Sequence, residues 1–314
     1  MTAHVDEAER QRALDIYHVV DTFPEAAFDD IVCLASQLCK VPIALISLID
    51  RDRQWFKARE GLPVSETSRD VALCDHAIRM PDTLLVVPNA LEDARFSSNP
   101  LVTGDLMIRF YAGMPLVTPG GAAIGTVCVI DHTPRTLDES QRKGMAALAR
   151  LTMNLLETRH RQRELERAIL FAADTATGSL EPDTAFDLEA ANQCTIAIVE
   201  LQDLSEATHK IGERAMRRAL AQLEQLLHTG LRPQLHDSVN HVTGSPELIV
   251  MLHGSDTADT LAALRERVAA FEREHSLVVL VAAAHSMEVN EPLESIYLRA
   301  DLALSQAKDV QYAE

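Results

Sequence analysis

The sequence lacks Cys-x-x-Cys pairs, long apolar runs and an excess of positive charge, and each absence argues against a class of protein. The five cysteines are an odd number without metal-ligand spacing, which argues against a disulfide framework or a structural zinc site. The longest unbroken apolar run, residues 277–284, is too short for a membrane-spanning helix, which needs about 20 residues. Because no basic stretch precedes an apolar one at the N-terminus, we expect no secretion signal and a cytoplasmic location.

The charge balance and the composition are those of an acidic globular protein. Lys and Arg number 29 against 47 Asp and Glu, which gives a net charge of −18 with His neutral. An acidic surface repels phosphate backbones and anionic lipid, so we expect no nucleic acid and no membrane among its partners. Apolar residues make up 47% of the chain, which excludes wholesale disorder. The 314 residues indicate two domains, at roughly 100–200 residues each.

Hydrophobic spacing in the first half predicts a sheet covered by helices. Helices are predicted at residues 12–20, 28–38 and 70–78, and strands at residues 43–49, 54–58, 111–117 and 122–130. The first two strands are separated by a short polar stretch and form a predicted hairpin. The last two are joined by Thr-Pro-Gly-Gly, which has strong turn chemistry.

A long connecting helix is predicted over residues 136–172. Thr136 and Glu139 have the spacing of a capping box at its start. Seven positions alternate steps of three and four residues, and five of them are apolar, which is typical of a coiled-coil seam with a polar middle. These positions, the predicted seam, are Leu148, Leu151, Leu155, Thr158, Gln162, Leu165 and Ile169. The alternative is a surface helix that packs on its own domain.

The second half predicts an α/β domain of about 140 residues with a central sheet. A boundary region rich in Asp, Thr, Gly, Ser and Pro precedes it at residues 174–193. Strands are predicted at residues 195–201, 239–242, 248–252 and 277–283, and helices at residues 206–227, 256–275 and 292–308.

Four motifs in the first half resemble the GAF family of ligand-sensing domains. They are LIDRDRQWF at residues 48–56, CDHAI at 74–78, DARF at 93–96 and RFYAGMPLVTPGGAAIGTVCVID at 109–131. The resemblance covers residues 28–156 and is to the GAF type that precedes bacterial signalling output domains. It implies a six-stranded antiparallel sheet with helices on one face and a pocket on the other. Such domains bind cyclic nucleotides, bilins, haem or small metabolites, or serve only in dimerisation, and the fold alone does not choose.

The resemblance places seven candidates in the GAF pocket: Phe56, Cys74, His76, Arg109, Phe110, Tyr111 and Met114. A covalent bilin at Cys74 is disfavoured because Asp75 separates that cysteine from the histidine. His76 is a candidate haem or metal ligand without a second ligand at useful spacing. Arg109 indicates an anionic ligand or is a solvated charge. Cys74 and Cys128, with His76 or His132, resemble the cysteine chemistry of GAF relatives that reduce free methionine sulfoxide; the alternative is that both cysteines are core residues.

The second half resembles the GGDEF domains of diguanylate cyclases over residues 174–308. Residues 174–179 resemble the opening D-x-L-T-G-L motif, residues 196–201 the first strand, and residues 209–213 the G-H-x-x-G-D turn, with Thr208 in place of the first glycine. The closing helix A-D-x-A-L-Y-x-A-K is matched most closely, by residues 300–308. The resemblance implies a cyclase that joins two GTP molecules with the help of carboxylate-bound magnesium.

The signature loop of that family is degenerate here. It falls at Gly244, Ser245, Pro246, Glu247 and Leu248. Glu200 matches the first metal-binding carboxylate, but Pro246 stands where active members carry the second, and Ser245 replaces a glycine. The stretch after the first strand also lacks the family's phosphate and guanine contacts. Asp237 falls in the region of the inhibitory R-x-x-D site without an arginine at that spacing, and we interpret it as a turn residue.

The predicted organisation is therefore a GAF sensor domain with an N-terminal helix at residues 1–156, a connecting signalling helix at 136–172 and a degenerate GGDEF domain at 173–314. We expect a non-catalytic, homodimeric signalling protein without metal or cofactor. Its GAF domain senses a small-molecule ligand or serves in dimerisation, and its degenerate GGDEF domain acts as a receptor or a docking platform for a protein partner in signalling of the cyclic di-GMP type. The alternatives are a weakly active diguanylate cyclase that uses Glu200 and Glu247, or an effector that binds GTP or cyclic di-GMP without turnover.

Overall fold

The computed structural model describes residues 6–177, 193–202, 204–242, 245–254, 256–288 and 291–311. The chain divides into two compact units, Met1–His160 and Arg161–Glu314. Each unit has its own sheet, which confirms the mixed fold class. Among the helices that the structure describes, none combines the length and the apolar composition that a membrane crossing requires.

The first unit contains a six-stranded antiparallel sheet in the order β3-β2-β1-β6-β5-β4. Its strands are β1 Ile43–Ile49, β2 Arg53–Glu60, β3 Glu66–Ser68, β4 Leu85–Val87, β5 Phe110–Val117 and β6 Ala123–Asp131. The predicted hairpin pairs Ile49 with Gln54. The turn between β5 and β6 closes with a hydrogen bond from Gly121 N to Thr118 O, and Gly121 has φ +86°, a conformation that suits glycine.

Helices lie on both faces of this sheet, and their bounds correct two predictions. They are α1 Glu7–Asp15, α2 Ala26–Cys39, α3 Leu73–Ile78, α4 Pro100–Thr103 and the start of α5 Glu139–Thr177. The first helix ends before the predicted interval does, because His18 has φ +43° and cannot continue a right-handed helix. Tyr17 and Val19 are buried without being helical. The apolar spacing of these two residues reflects their burial and does not indicate a helical turn.

The sheet separates two hydrophobic cores. The α2/α5 core, which includes Phe28 and Leu148, fills the face covered by α1, α2 and α5. The α3 core, which includes Phe56 and Cys74, fills the opposite face under α3. Since side chains of a strand alternate between faces, Phe110 lies in the first of these cores and its neighbour Tyr111 in the second.

The long helix α5 has 39 residues and begins three residues later than predicted. Its capping box is formed by Asp138 and Gln141 rather than by Thr136 and Glu139. Gln141 N donates to Asp138 Oδ1 over 2.8 Å, and Asp138 N donates to Gln141 Oε1 over 3.0 Å. This reciprocal pair satisfies two donors at the start of the helix.

The second unit has a four-stranded antiparallel sheet in the order β10-β7-β9-β8. Its strands are β7 Cys194–Leu201, β8 Ser238–His241, β9 Glu247–His253 and β10 Val279–His285, and its further helices are α6 Leu204–Ile211, α7 Glu213–His228, α8 Thr257–His275 and α9 Leu293–Gln311. The single helix predicted at residues 206–227 is two helices, because Gly212 between them has φ +84°. The chain folds in the order β-α-β-β-α-β, and this order places the end of β7 beside the start of β9.

Candidate functional site

The α3 core contains a cluster of buried polar groups around two cysteines. Cys74 Sγ on α3 lies 3.7 Å from Cys128 Sγ on β6. The Tyr111 hydroxyl and Gln54 Nε2 each donate a hydrogen bond of 3.3 Å to Cys74 Sγ. All four side chains are buried. The structure thus brings together Cys74, Tyr111 and Cys128 of the sequence candidates.

The two thiols differ in acidity. Burial opposes ionisation of Cys74, but hydrogen bonds from Cys128, Thr126, Tyr111 and Ser47 outweigh it and hold the pKa of that thiol below its usual value. The hydrogen bond with Cys74 and burial together raise the pKa of Cys128 well above its usual value. Cys74 is therefore the better nucleophile of the pair.

The seven predicted pocket residues do not form one pocket. Phe56, Cys74 and Tyr111 lie in the α3 core. Phe110 belongs to the α2/α5 core, and Met114 packs against that core. The motif indicated that these residues lie along β5 but not which face of the sheet they occupy. Because side chains alternate along a strand, Phe110 and Met114 lie on the opposite face of the sheet from Tyr111.

Two further candidates of the GAF motif, His76 and Arg109, lie at the edge of the α3 core. The half-buried His76 ring meets Phe96 edge to face, with 4.9 Å between centroids, and lines a surface depression of about 520 Å³ beside the Arg69–Asp75 ion pair. Arg109 Nη1 donates to the carbonyls of Val102 and Ile108 over 2.8 and 3.0 Å. Its guanidinium thus braces the backbone next to α4. Across the described residues, no three His, Cys, Asp or Glu side chains cluster as a metal would require.

In the second unit, the sequence candidates Glu200 and Glu247 lie side by side on neighbouring strands. Glu200 is the last residue but one of β7, Glu247 is the first of β9, and they are register partners. Both are buried. Lys308 Nζ on α9 lies 2.6 Å from Glu200 Oε1, and Gln202 Nε2 donates to the same oxygen.

Glu247 is neutralised by a different cation. Arg163 on α5 makes an ion pair with Glu247 Oε2, and the Tyr297 hydroxyl donates to Glu247 Oε1 over 3.0 Å. Asp301 lies near both glutamates. Burial, then the negative charges of Glu247 and Glu200, raise the pKa of Asp301 to about 6.

The loop that precedes Glu247 is fixed by backbone contacts. The Ser245 hydroxyl accepts from Glu247 N, and the Pro246 carbonyl accepts from Leu201 N over 3.4 Å. Gly244 lies outside the described residues, as do residues 178–179 of the predicted opening motif. Because Pro246 offers no carboxylate and both glutamates are paired with cations of the chain itself, these residues do not fit a magnesium ion.

Asp237 does close a turn, and it does so with an arginine. Arg232, five residues earlier, donates to Asp237 Oδ2 through Nε over 2.8 Å and through its backbone N over 3.0 Å. The buried carboxylate also accepts from His253 N of β9. The Arg-Asp pair is therefore present at a spacing that the family motif does not contain.

The predicted seam of α5 is divided between buried and exposed positions. Leu148 lies in the α2/α5 core, and Leu155 packs against it. Leu151, Leu165 and Ile169 are 51%, 61% and 60% exposed. Thr158 and Gln162 are exposed as well. The beginning of the predicted seam thus serves its own domain, as the alternative interpretation held, whereas its later apolar positions face solvent.

Sequence reasoning missed most of the partners in both sites. Arg163 and Tyr297 sit inside helices without a local motif, and only the fold brings them to Glu247. Ser47 and Thr126 carried a usable signal, because each interrupts an apolar strand with a hydroxyl that the structure buries completely.

Comparisons with known proteins bear on the first unit. The family model of the GAF domain matches residues 24–156. A cyclic di-GMP phosphodiesterase of Pseudomonas aeruginosa is 39% identical over 154 residues, which are 49% of this chain and 26% of that protein. The chain therefore spans about a quarter of the length of this relative.

Solved structures of both domain types resemble parts of the chain. A microbial GGDEF domain studied for its interaction with cyclic di-GMP is 24% identical, with a TM-score of 0.37 over 48% of this chain and 87% of that one. The GAF domain of a phosphoenolpyruvate-protein phosphotransferase from Acinetobacter is 17% identical, with a TM-score of 0.38 over 49% of this chain and 95% of that one.

Proposed function

We propose that the chain is a non-catalytic signalling protein in which a GAF domain is coupled through α5 to a degenerate GGDEF domain. The GAF domain senses a small ligand or mediates dimerisation. The second domain acts as a receptor or a docking platform in signalling of the cyclic di-GMP type. The GAF family match, the phosphodiesterase relative and the sequence resemblance of residues 174–308 support this assignment.

The pairing of Glu200 and Glu247 with internal cations carries the proposal. Magnesium binds hard oxygen ligands, and its usual sites supply one or two free carboxylates beside the phosphate oxygens. Here Lys308 forms an ion pair with Glu200, and Arg163 forms an ion pair with Glu247. A metal would have to displace both cations, and stripping one partner from a buried ion pair typically costs about 3–5 kcal/mol. The second domain therefore does not hold the metal that joining two GTP molecules requires.

Exposed apolar positions on α5 support a proposed dimer that would serve the docking role. Leu165 and Ile169 are exposed at the 3-4 spacing that coiled coils use, and they follow the exposed Thr158 and Gln162. We propose that α5 pairs with α5 of a second copy and passes the state of the GAF domain along the helix. A polar middle suits a helix pair that changes register rather than one that locks.

Incubation of the full chain with GTP and Mg²⁺ or Mn²⁺, followed by chromatography, tests the absence of turnover. We expect no cyclic di-GMP. Product that disappears in Glu200→Ala but persists in Glu274→Ala, an exposed glutamate on α8, would contradict the proposal and make the chain a weak cyclase. Equal product in both variants would indicate a contaminating enzyme.

Equilibrium dialysis with labelled GTP and labelled cyclic di-GMP separates docking from nucleotide binding. We expect neither nucleotide to be retained by the second domain. Saturable binding of either one that Glu200→Ala or Arg232→Ala abolishes would contradict a pure docking role and favour an effector that binds without turnover.

A further inference from the structure

We propose that Cys74 and Cys128 are a redox-active pair that a small hydroperoxide, such as hydrogen peroxide, converts into a disulfide inside the α3 core. This oxidation site is independent of the proposed function and does not rest on it. The pair joins the short helix α3 to the central strand β6 across 54 residues of sequence.

The distance between the sulfurs allows closure without rearrangement of the fold. They lie 3.7 Å apart, and a disulfide bond measures about 2.05 Å, so they must approach by about 1.7 Å. One partner lies on a helix of only six residues. Closure therefore requires rotation of the two side chains together with a shift of this short helix.

The polar groups around Cys74 suit a reacting thiol better than a packed core. Tyr111 and Gln54 donate to its sulfur. The hydroxyls of Ser47 and Thr126 also lie beside it, fully buried. Sulfur is a weak hydrogen-bond acceptor, so both hydroxyls would gain a stronger acceptor in the extra oxygen of an oxidised Cys74.

The two steps balance in atoms and electrons. The Cys74 thiolate attacks one oxygen of hydrogen peroxide, so that an S–O bond forms and the O–O bond breaks. The departing hydroxide takes up the proton that Cys74 released and leaves as water. Cys128 then attacks the sulfur of the resulting sulfenic acid. An S–S bond forms, the S–O bond breaks, and the second hydroxide leaves as water with the proton of Cys128.

The other cysteines provide the contrast. Cys33 is exposed on α2, Cys39 is buried in the α2/α5 core, and Cys194 lies in the second unit. Hydrogen peroxide is close to water in size, and Cys74 directly precedes Asp75 and His76, which line the surface depression. Local opening of a six-residue helix admits it. We therefore expect selective oxidation at Cys74 rather than general thiol loss.

The test is a thiol map of the full chain. The protein is titrated with hydrogen peroxide, denatured with an alkylating reagent present, digested without reductant and analysed by mass spectrometry. We expect a linked peptide pair containing Cys74 and Cys128, a protein mass lower by about 2 Da because two hydrogens are lost, and full alkylation of Cys39 and Cys194.

Two variants assign the steps. Cys128→Ala should give no linked pair and should accumulate a sulfenic acid at Cys74 that a 1,3-dione reagent labels. Cys39→Ala removes an equally buried cysteine from the other core and should behave as the wild type. Circular dichroism checks that both variants fold, and the wild-type map decides the question without them.

Two results would overturn the proposal. One is a wild-type map in which Cys74 and Cys128 stay fully alkylated at peroxide doses that oxidise the exposed Cys33. The other is a Cys74–Cys128 link that forms no faster in the folded protein than in urea, which would make the pair a product of unfolding.

Discussion

At the scale of single residues, the decisive feature is Glu247, a carboxylate that the fold buries completely. Its charge is balanced by Arg163, and the Tyr297 hydroxyl satisfies its other oxygen. A buried ion is tolerated only when it is paired and hydrogen-bonded. Glu247 thus contributes to the structure of the second domain through its contacts with Arg163 and Tyr297.

Removing one partner of this ion pair should reveal the free-energy cost of burying the other partner alone. We expect Arg163→Met to lower the free energy of unfolding of the second domain by about 3–5 kcal/mol, because Glu247 stays buried without its cation. Urea unfolding measures the change. Arg217→Ala, which breaks an ion pair exposed on both sides, should cost no more than about 1 kcal/mol. Equal effects of the two variants would show that Glu247 is balanced by other groups.

Asp301 gives the second domain a pH dependence. Burial and then the charges of Glu247 and Glu200 raise its pKa from 3.8 to about 6. A raised pKa means that the folded state favours the protonated form, so its contribution to stability is full below about pH 4 and is lost as pH rises through 6. A shift of about two pKa units corresponds to roughly 3 kcal/mol.

Asp301→Asn should remove that dependence. Relative to the wild type, we expect the variant to gain up to roughly 3 kcal/mol between pH 4 and pH 7. Urea unfolding of both proteins at several pH values measures the difference, in which titrating groups that do not interact with Asp301 cancel. A difference that does not change with pH would contradict the assignment.

At the scale of elements, sequence patterns predicted most strands and misplaced helix ends. The β-branched composition of the first strand, the polar stretch after it and the Thr-Pro-Gly-Gly turn predicted the hairpins of the first sheet, because these signals are local. The helix ends depended on φ angles at His18 and Gly212 and on which polar residue reached back to a free N–H, and spacing alone does not reveal these. The site partners were predicted less well than the strands, because Arg163 and Glu247 are 84 residues apart in the sequence and no local pattern links them.

The polar middle of the α5 seam has a testable role. Replacing Thr158 and Gln162 together with leucine extends the exposed apolar stripe, so we expect tighter self-association and an altered response of the second domain. Sedimentation velocity over a concentration series measures the association. Glu164→Leu adds an exposed leucine to the same helix outside the seam and should leave association as in the wild type. Identical behaviour of all three proteins would reduce α5 to a spacer.

At the scale of the whole molecule, we propose a GAF domain joined to a second domain in which Lys308 and Arg163 pair with Glu200 and Glu247. The chain carries a net charge of −18, which suits the proposed docking to a protein with a basic surface better than contact with nucleic acid. Under this proposal, signal transfer depends on association through α5 rather than on a chemical product.

Native mass spectrometry of the full chain, incubated with GTP and Mg²⁺, tests this account most directly, because one spectrum reports association, bound nucleotide and turnover. We predict a dimer whose only added mass, if any, is a GAF ligand that denaturation releases, with the GTP left intact. A monomer would contradict the coupling through α5. A dimer that carries GTP or cyclic di-GMP would contradict the docking role and would indicate that the second domain binds a nucleotide.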